Sequence, residues 1–508
     1  MRITNKVMQN NALVNINRNK EIQDNLNTQI ATGKKVNKPS EDPVVAIRAL
    51  RLRSDVDQIT QYLKKNVPDA ISWLNLTETS IKTTISVLED MIEKCERGAS
   101  DQLKTEDRQT IIDSLNELYK EIYDTGNADY AGRYIFTGFR TGTSLTFEEQ
   151  TKQKFEITEL FDRNDLEQQS YIDTANLLEL NEVNYTGANR DNAAIIDQDI
   201  NQVDYFRCRL SYRDLDGDAP TVKIDGVDQT VTVVDDPATA YKQAQDDPDA
   251  VIFVPSTGEL LLGSNVYDSI QRDNSQLSVS YSKTNWEEGD LRPQHYFYCE
   301  TDDPTGALDS AGNPLRITYN PDYLEGRSIG QAIEYQVGFS QSIQVNTYAE
   351  DIYKHGIGRD VMEITDLANR LTEIENMKIK LESMSKDTDN YDDDQRAAIA
   401  LDLEAAEKAE SLTRDQLQKK FKSYISKMQS YLDIANEALT IAGNRSARLD
   451  LVNNRLTDQK ETFDNLKSDN EDADETEVAV NLSSAELSYD AALMATGRMI
   501  QTTLLNYL

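Results

Sequence analysis

The sequence predicts an α + β multidomain protein, in which both chain ends form an elongated, coiled-coil-like helical rod and a β-rich outer domain is inserted at its far end. Eight of the eleven prolines fall between Pro220 and Pro321, so the middle of the chain is rich in turns. Both flanks carry apolar residues at intervals of three and four, the pattern of helices packed side by side. The middle carries β-branched runs on either side of turn residues, which is typical of strands.

Length and charge restrict the class of protein. A chain of 508 residues is long enough for two or three domains. Its formal net charge of -36 argues against a nucleic-acid partner, which requires basic patches to neutralise phosphate. No apolar run is long enough to cross a bilayer, and the first thirty residues lack the apolar core of a signal peptide. We therefore expect no membrane partner and, if the protein is exported, no cleaved signal peptide.

Helices are predicted along the N-terminal flank. An imperfect apolar stripe covers residues 1–31 and ends at the polar segment TGKKVNKPSEDP, where Ser40 or Asp42 is a candidate N-cap. A strict three-and-four pattern then covers residues 45–95. We expect Pro68 to kink this long helix or to split it in two.

Strands are predicted in the middle of the chain. Asp225-Gly226 lies between two β-branched runs, which is a strong hairpin signature, and a second hairpin is expected at residues 256–258. The segment DLDGD at 214–218 lacks the ligand spacing and closing Glu of a calcium loop, so we interpret it as a turn. His295 is interpreted as a strand residue. The sequence predicts no cofactor and no metal.

The C-terminal flank is predicted to be helical again, since residues 360–442 contain neither Pro nor Gly. Polar turns are expected at KDTDNYDDDQ and at KSDNEDADET. The predicted domain boundaries are 1–43 for an N-terminal segment, 44–138 for the N-terminal half of the helical rod, 139–325 for the β-rich outer domain, 326–468 for the C-terminal half of the rod with an extended helical hairpin, and 469–508 for a C-terminal helix.

The two chain ends are the candidate interaction site. The last helix carries apolar groups on one broad face but cannot bury enough of them alone to offset the entropy of ordering it. We hypothesise that neighbouring copies bury both ends. The alternative is that both helices dock on the protein's own rod. The candidate subunit-interface residues are Ile3, Val7, Leu13, Ile16, Ile22, Leu26, Ile30, Val478, Leu482, Ala485, Tyr489, Leu493, Met499, Ile500, Leu504 and Leu508.

Both ends resemble the flagellin superfamily. Residues 26–81 are similar to its N-terminal rod segment and residues 445–508 to the C-terminal partner of that segment. Four segments are most similar to the hook–filament junction family within it. They are MRITNKVM, GRYIFTGFRTGTSLTF, SIQVNTYAEDIY and TTLLNYL.

The resemblance implies a structural, non-enzymatic protein of the bacterial flagellum. It implies export through the flagellar type III apparatus and a ring of copies of this chain between hook-associated protein 1 and the flagellin filament. A cytoplasmic export chaperone is the further partner implied. The expected location is therefore extracellular, at the hook–filament junction.

Three other classes are weighed against this one. Flagellin itself shares the helical ends, and a cytosolic coiled-coil scaffold shares the heptads but not the apolar termini. An enzyme is disfavoured because His295 and His355 are the only histidines and no catalytic motif accompanies them. Cys95 continues an apolar stripe and is interpreted as a core residue. A surface-adhesion role for the β-rich domain stays open.

Amide hydrogen exchange of the purified monomer tests the hypothesis about the ends. We expect fast exchange across residues 1–40 and 480–508, because these helices need neighbouring chains for full burial. Strong protection of the same amides in the monomer would contradict it.

Overall fold

A computed structural model describes residues 5–100, 103–185, 199–303, 306–308, 312, 314–326 and 330–505. Long helices occupy both ends and strands occupy the middle, so the predicted α + β class is confirmed. The helices are α1 (Asn5–Thr32), α2 (Pro43–Gln61), α3 (Val67–Gly98), α4 (Thr105–Thr125), α5 (Pro237–Asp246), α6 (Ser264–Asp273), α7 (His355–Lys386), α8 (Asp393–Glu471) and α9 (Glu475–Leu505).

The strands form two larger sheets and two small hairpins. They are β1 (Asp129–Tyr130), β2 (Arg133–Tyr134), β3 (Thr151–Phe161), β4 (Leu166–Asp173), β5 (Asn201–Arg209), β6 (Thr221–Ile224), β7 (Val227–Asp228), β8 (Thr232–Val233), β9 (Val251–Val254), β10 (Glu259–Leu262), β11 (Leu277–Trp286), β12 (Tyr298–Asp302), β13 (Arg316–Tyr319), β14 (Glu334–Gly338) and β15 (Gln341–Gln344).

The chain separates into two compact units. Unit 1 comprises the described residues of Met1–Ile71, Tyr335–Ile343 and Ala447–Leu508, and unit 2 comprises those of Ser72–Glu334 and Gln344–Ser446. Unit 1 contains α1, α2, α9 and all of the β14–β15 hairpin except Glu334 and Gln344. Unit 2 contains α4, α7 and both larger sheets.

Helix α2 begins with one of the two predicted N-cap residues. The Asp42 carboxylate accepts hydrogen bonds from the backbone N–H groups of Val44 and Val45 at 2.9 and 3.0 Å. Pro43, which has no N–H to satisfy, occupies the first helical turn. Of the two predicted caps, Asp42 is therefore the one used.

The long N-terminal helix is divided near Pro68 into α2 and α3. A π-helical segment, Tyr62–Asn66, joins α2 to α3 immediately before this proline. The wider turn accommodates a residue that cannot donate the helical hydrogen bond. The side-chain amide of Asn66 in turn donates to the carbonyl of Gln336 in the β14–β15 hairpin at 2.7 Å. The predicted interruption is therefore confirmed, and its form is a π-helical turn.

The two larger sheets pack face to face in unit 2. The five-stranded sheet has the order β4-β5-β10-β9-β8 and the six-stranded sheet the order β13-β12-β3-β11-β6-β7. One core cluster draws on both sheets, with Phe155, Cys208, Phe253 and Trp286 among its buried members. The other face of the five-stranded sheet is covered by α5.

Both predicted hairpins are present, but the strand that follows the first is different from expectation. Asp225 and Gly226 have φ values of 49° and 80° and connect β6 to β7, as the two-residue turn requires. Only β7, the first part of the β-branched run after Gly226, pairs with β6 in this hairpin. The next strand, β8, pairs in parallel with β9 of the five-stranded sheet. The α-helices α5 and α6 inside the β-rich region were not predicted.

Two further expectations are corrected. His295 lies in a short 3-10 helix, Pro293–His295, and not in a strand. Its buried Nε2 lies 3.0 Å from the carbonyl oxygen of Ser144, and burial lowers the pKa of the imidazole to about 3.

The acidic turn predicted near residue 470 is shorter than expected, since α8 continues to Glu471 and α9 begins at Glu475.

A buried ionic network joins β4 and β5 to α7 and α8 within unit 2. Arg207, of which 3% is exposed, pairs with Glu167 at 2.7 Å, with Glu363 at 2.8 Å and also with Glu259. Glu363 also accepts from Lys420 at 2.9 Å. Burial alone would raise the pKa of Glu363, but these cations lower it well below its usual range. Each buried charge of the network therefore lies next to at least one charge of opposite sign.

A pair of glycines tests the helix packing of unit 2. A Cβ at Gly98 would lie 2.5 Å from Cε1 of the buried Phe421, whereas a Cβ at Gly443 would meet nothing within 4 Å. We expect Gly98→Ala to destabilise unit 2 by about 1–3 kcal/mol through overpacking. Gly443→Ala, the matched control inside α8, should stabilise it by about 1 kcal/mol. Urea unfolding measures both changes, and equal effects would contradict the packing described.

Candidate subunit interface

Helices α1 and α9 pack side by side in opposite directions within unit 1. Lys34, which follows α1, forms an antiparallel bridge with Asp472, which precedes α9. Further along the pair, the Asn19 side-chain amide donates to the backbone carbonyl of Ser488 at 3.4 Å. As the residue number in α1 falls, that of its partner in α9 rises. The start of α1 and the end of α9 therefore lie at the same end of the helix pair.

The contact between the two helices follows a heptad pattern. Partly buried side chains alternate at intervals of four and three, which places them at the a and d positions that form a helix–helix seam. The seam residues are Ala12, Ile16, Asn19, Gln23 and Leu26 in α1, and Val478, Leu482, Ala485, Tyr489, Ala492 and Thr496 in α9.

The seam is narrow and buries little. Among the side chains of α1 and α9 that the structure describes, only Val478 is buried, with 7% of its surface exposed. Two of the α1 seam positions are the polar residues Asn19 and Gln23. Because hydrophobic stabilisation scales with the apolar area removed from water, this pairing supplies only part of what two long helices can gain.

Apolar side chains also occupy the side opposite the seam. With the seam at a and d, the outermost position of each heptad is f, which is polar in an isolated helical pair. Here Val480, Leu487 and Met494 lie seven residues apart at the f positions of α9 and are 65%, 72% and 69% exposed. Val7 and Val14 occupy the same position in α1 and are 48% and 63% exposed. We call these five residues the outer stripe.

The predicted interface residues fall into three groups. Ile16, Leu26, Leu482, Ala485 and Tyr489 are partly buried in the seam, together with the buried Val478. Val7, Leu13, Ile22, Ile30 and Leu493 are exposed. Ile3 and Leu508 lie outside the described residues, as do the side chains of Met499, Ile500 and Leu504. Part of the predicted set thus packs within the chain, and part remains open to a partner.

Sequence reasoning missed most of the outer stripe and a second exposed apolar patch. Val14, Val480, Leu487 and Met494 were absent from the predicted set, although their heptad spacing was visible. The second patch is on α2, where Val44, Ile47 and Leu50 are 65%, 55% and 62% exposed. These three residues lie three positions apart. Ile47 and Leu50 fall between the residues of the three-and-four pattern predicted from residue 45 onward, which point towards the protein interior.

A charged cluster fixes the point where α8 turns into α9. Glu471, whose side chain is 3% exposed, accepts hydrogen bonds from Nε and Nη2 of Arg53 at 2.5 and 2.7 Å. Lys34 donates to Glu471 at 3.2 Å and to Asp472 at 2.6 Å. The backbone N–H of Ala473 donates to the carbonyl of Gly33 at 2.9 Å. We call Lys34, Arg53, Glu471 and Asp472 the turn cluster.

The turn cluster is sensitive to acid. Hydrogen bonds from Arg53, and then from Lys34, lower the pKa of Glu471 below its usual value. A carboxylate with a depressed pKa stabilises the folded state above its unfolded pKa of about 4.3. That stabilisation is lost as the pH falls through the folded pKa.

Neither a metal site nor a membrane span is found in the part of the chain that is described. No group of three or more His, Cys, Asp or Glu side chains is placed to hold a metal ion. No helix in the described ranges combines the length and the apolar character needed to cross a membrane. The exposed apolar surface of unit 1 is therefore the candidate site.

Comparison with known proteins shows a similarity in the N-terminal part of the chain. Residues 3–141 match the family model described as the bacterial flagellin N-terminal helical region. This range contains α1, which forms one side of the terminal helix pair. The resemblance to the flagellin superfamily that the chain ends predict is confirmed.

Two of the similar proteins are named flagellar hook-associated protein 3. The chain is 30% identical to this protein of Escherichia coli K12 over 125 residues, which are 24% of the chain and 39% of the relative. It is 28% identical to the Salmonella typhimurium LT2 protein over 142 residues, which are 28% of the chain and 44% of the relative. The chain thus spans less than half the length of either relative.

A solved flagellar hook-associated protein from Vibrio parahaemolyticus aligns over 85% of this chain and all of its own, with 13% identity and a TM-score of 0.34.

The turn cluster generates a pH-dependent prediction. At pH 7 Glu471→Gln should destabilise unit 1 by about 2 kcal/mol, because charge-assisted hydrogen bonds at a buried carboxylate are lost. The difference from wild type should begin to shrink as the pH falls below about 4.3, since only the wild type takes up a proton there. Thermal unfolding followed by circular dichroism across this pH range measures it. Glu461→Gln, at an exposed position of α8, is the control and should change little.

Proposed function

We propose that the protein is a structural component of the bacterial flagellum. In this role it forms the junction between the hook, at hook-associated protein 1, and the flagellin filament, and filament assembly requires it. The observation that carries the proposal is the outer stripe. A helical pair that had to be stable only by itself would carry polar residues at these positions.

The energetics of the stripe suit assembly from soluble subunits. Complete burial of Val, Leu or Met contributes about 1.5–3 kcal/mol each. The three α9 residues are 65%, 72% and 69% exposed, so covering what remains of them would contribute about 3–6 kcal/mol per copy. Forming a single contact between two free proteins costs about 4–15 kcal/mol in lost translational and rotational freedom, which equals or exceeds this gain. An isolated pair of copies is therefore weakly bound. A closed ring, in which each copy has two neighbours, is favoured.

The proposed partners follow from this role. They are copies of the chain in a ring, hook-associated protein 1, flagellin and a cytoplasmic export chaperone. The proposed location is extracellular, at the hook–filament junction, after export through the flagellar type III apparatus. The net charge of -36 suits a protein that must stay soluble before assembly and disfavours nucleic acid as a partner. The proposed role is structural and not catalytic.

Flagellin is the second candidate, because the matched family model is named for the flagellin N-terminal region. Deletion of the gene distinguishes the two. A junction protein predicts cells with intact hooks, no filaments and flagellin released into the medium. Filaments grown by the purified protein alone, without a hook to seed them, would instead favour flagellin.

A matched pair of valines tests the surface. Val480 in the outer stripe and Val227 in β7 of unit 2 are 65% and 64% exposed. Replacing either by Glu should change the free energy of unfolding of the monomer by no more than about 0.5 kcal/mol. Val480→Glu should abolish filaments, because assembly would bury an unpaired carboxylate.

The readout is the number of filaments per cell, and the swimming of the cells, when each variant replaces the deleted gene. Val227→Glu should restore both to wild-type levels. Normal filaments with Val480→Glu would contradict a junction built on the outer stripe.

A further inference from the structure

Unit 2 contains a cleft of about 500 Å³. Its walls come from β4 and β5 of the five-stranded sheet, from the turn at Ser256 and Thr257, and from one face of α7. The volume lies in the range of small-molecule sites. The assembly role makes no use of this cleft, which lies outside the helices of unit 1.

The positively charged side chains that line the cleft differ in whether they have a carboxylate partner. Arg207 and Lys420 belong to the buried ionic network, and Arg213 pairs with Asp366 at 3.1 Å. Arg359 and Arg370, which are also in the lining, have no carboxylate within 4.0 Å among the described residues. Arg370 is partly compensated by the ring of Tyr171, whose centroid lies 4.5 Å from its guanidinium carbon. Arg359 therefore stands out as the unmatched charge.

Arg359 is 7% exposed, so its guanidinium is almost entirely removed from water. Its Nη2 donates to the carbonyl oxygen of Thr257 at 2.5 Å. Its Nε is buried and has no hydrogen-bond partner among the described residues. Burial, and then the neighbouring Arg209, lower the pKa of Arg359 to about 10. Glu363 and Glu259 raise this pKa, but neither carboxylate forms an ion pair with Arg359. A buried cation with an unused donor and no carboxylate within 4.0 Å is costly, and an anion in the cleft would relieve that cost.

The rest of the lining restricts the kind of anion. Asp366 lies two helical turns beyond Arg359 on the same face of α7, and its carboxylate is 56% exposed. Glu373 lies two further turns along the same face and is also exposed. These carboxylates repel a multiply charged ion but accept hydrogen bonds from hydroxyl groups. The aromatic side chains of Tyr171 and Tyr241 also line the cleft and give it apolar surface.

We propose that this cleft binds a small monoanion that carries hydroxyl groups, of the class of acidic monosaccharides. The ligand carboxylate lies against the guanidinium of Arg359, and a ligand hydroxyl donates to Asp366. The neutral sugar lacks the group that compensates Arg359. The sulfate dianion lacks hydroxyl donors and is repelled by Asp366.

Isothermal titration of the full chain with glucuronate tests the proposal, with glucose and sulfate titrated at the same ionic strength. We expect saturable binding of glucuronate and none of glucose. Arg359→Gln should weaken glucuronate binding by about 10- to 100-fold, the loss of one charge-assisted hydrogen-bonded pair. Arg272→Gln, at an exposed arginine paired with Asp273 outside the cleft, is the control and should bind as wild type does.

A second variant covers the case in which Arg359→Gln does not fold. Met362 lines the cleft one turn after Arg359, and Met362→Trp should block binding by filling the space. Absence of glucuronate binding to the intact chain would overturn the proposal. So would binding that survives both variants, or binding of sulfate as tight as that of glucuronate, which would indicate an adventitious ion only.

Discussion

The antiparallel pairing of α1 with α9 is the constraint on which the rest of unit 1 depends. It brings together Asn19 and Ser488, which are 469 residues apart in the chain, so it can form only after the intervening chain has folded back. Closing a loop of this length carries an entropic cost that the narrow seam must offset. The turn cluster contributes to this, because the buried carboxylate of Glu471 at the end of α8 pairs with Lys34 before α2 and with Arg53 within α2. The seam uses one side of each helix, and the outer stripe is what remains.

Local chemistry decided which parts of the fold could be predicted from the sequence. The Asp42 cap and the Asp225-Gly226 turn depend on neighbouring residues alone, and both were found. The interruption at Pro68 was expected, but its π-helical form depends on tertiary packing. The strand β8 could not be placed, because the choice between two sheets depends on residues far away in the chain. His295, in the segment RPQHYFYCE, was expected in a strand, whereas it lies in a 3-10 turn with its buried ring against the carbonyl oxygen of Ser144.

The candidate interface was predicted in its location and only partly in its residues. One broad apolar face was assumed for α9, so residues such as Tyr489, which pack within the chain, were grouped with exposed ones such as Leu493. The repeat of seven that links Val480, Leu487 and Met494 was present in the sequence. It becomes informative only when the a and d positions of the seam are known. The Arg359 cleft could not be predicted, since its lining comes from distant segments of the chain.

Thiol labelling gives the most direct test of the central claim, that neighbouring copies cover the outer stripe. The three native cysteines are buried, and burial raises the pKa of Cys95 and of Cys299 to about 12, so they should not react. A cysteine introduced as Leu487→Cys should react with a maleimide in the monomer, because this position is 72% exposed. In isolated flagella it should be protected, while Val227→Cys should react in both states. Equal reactivity of Leu487→Cys before and after assembly would contradict the account.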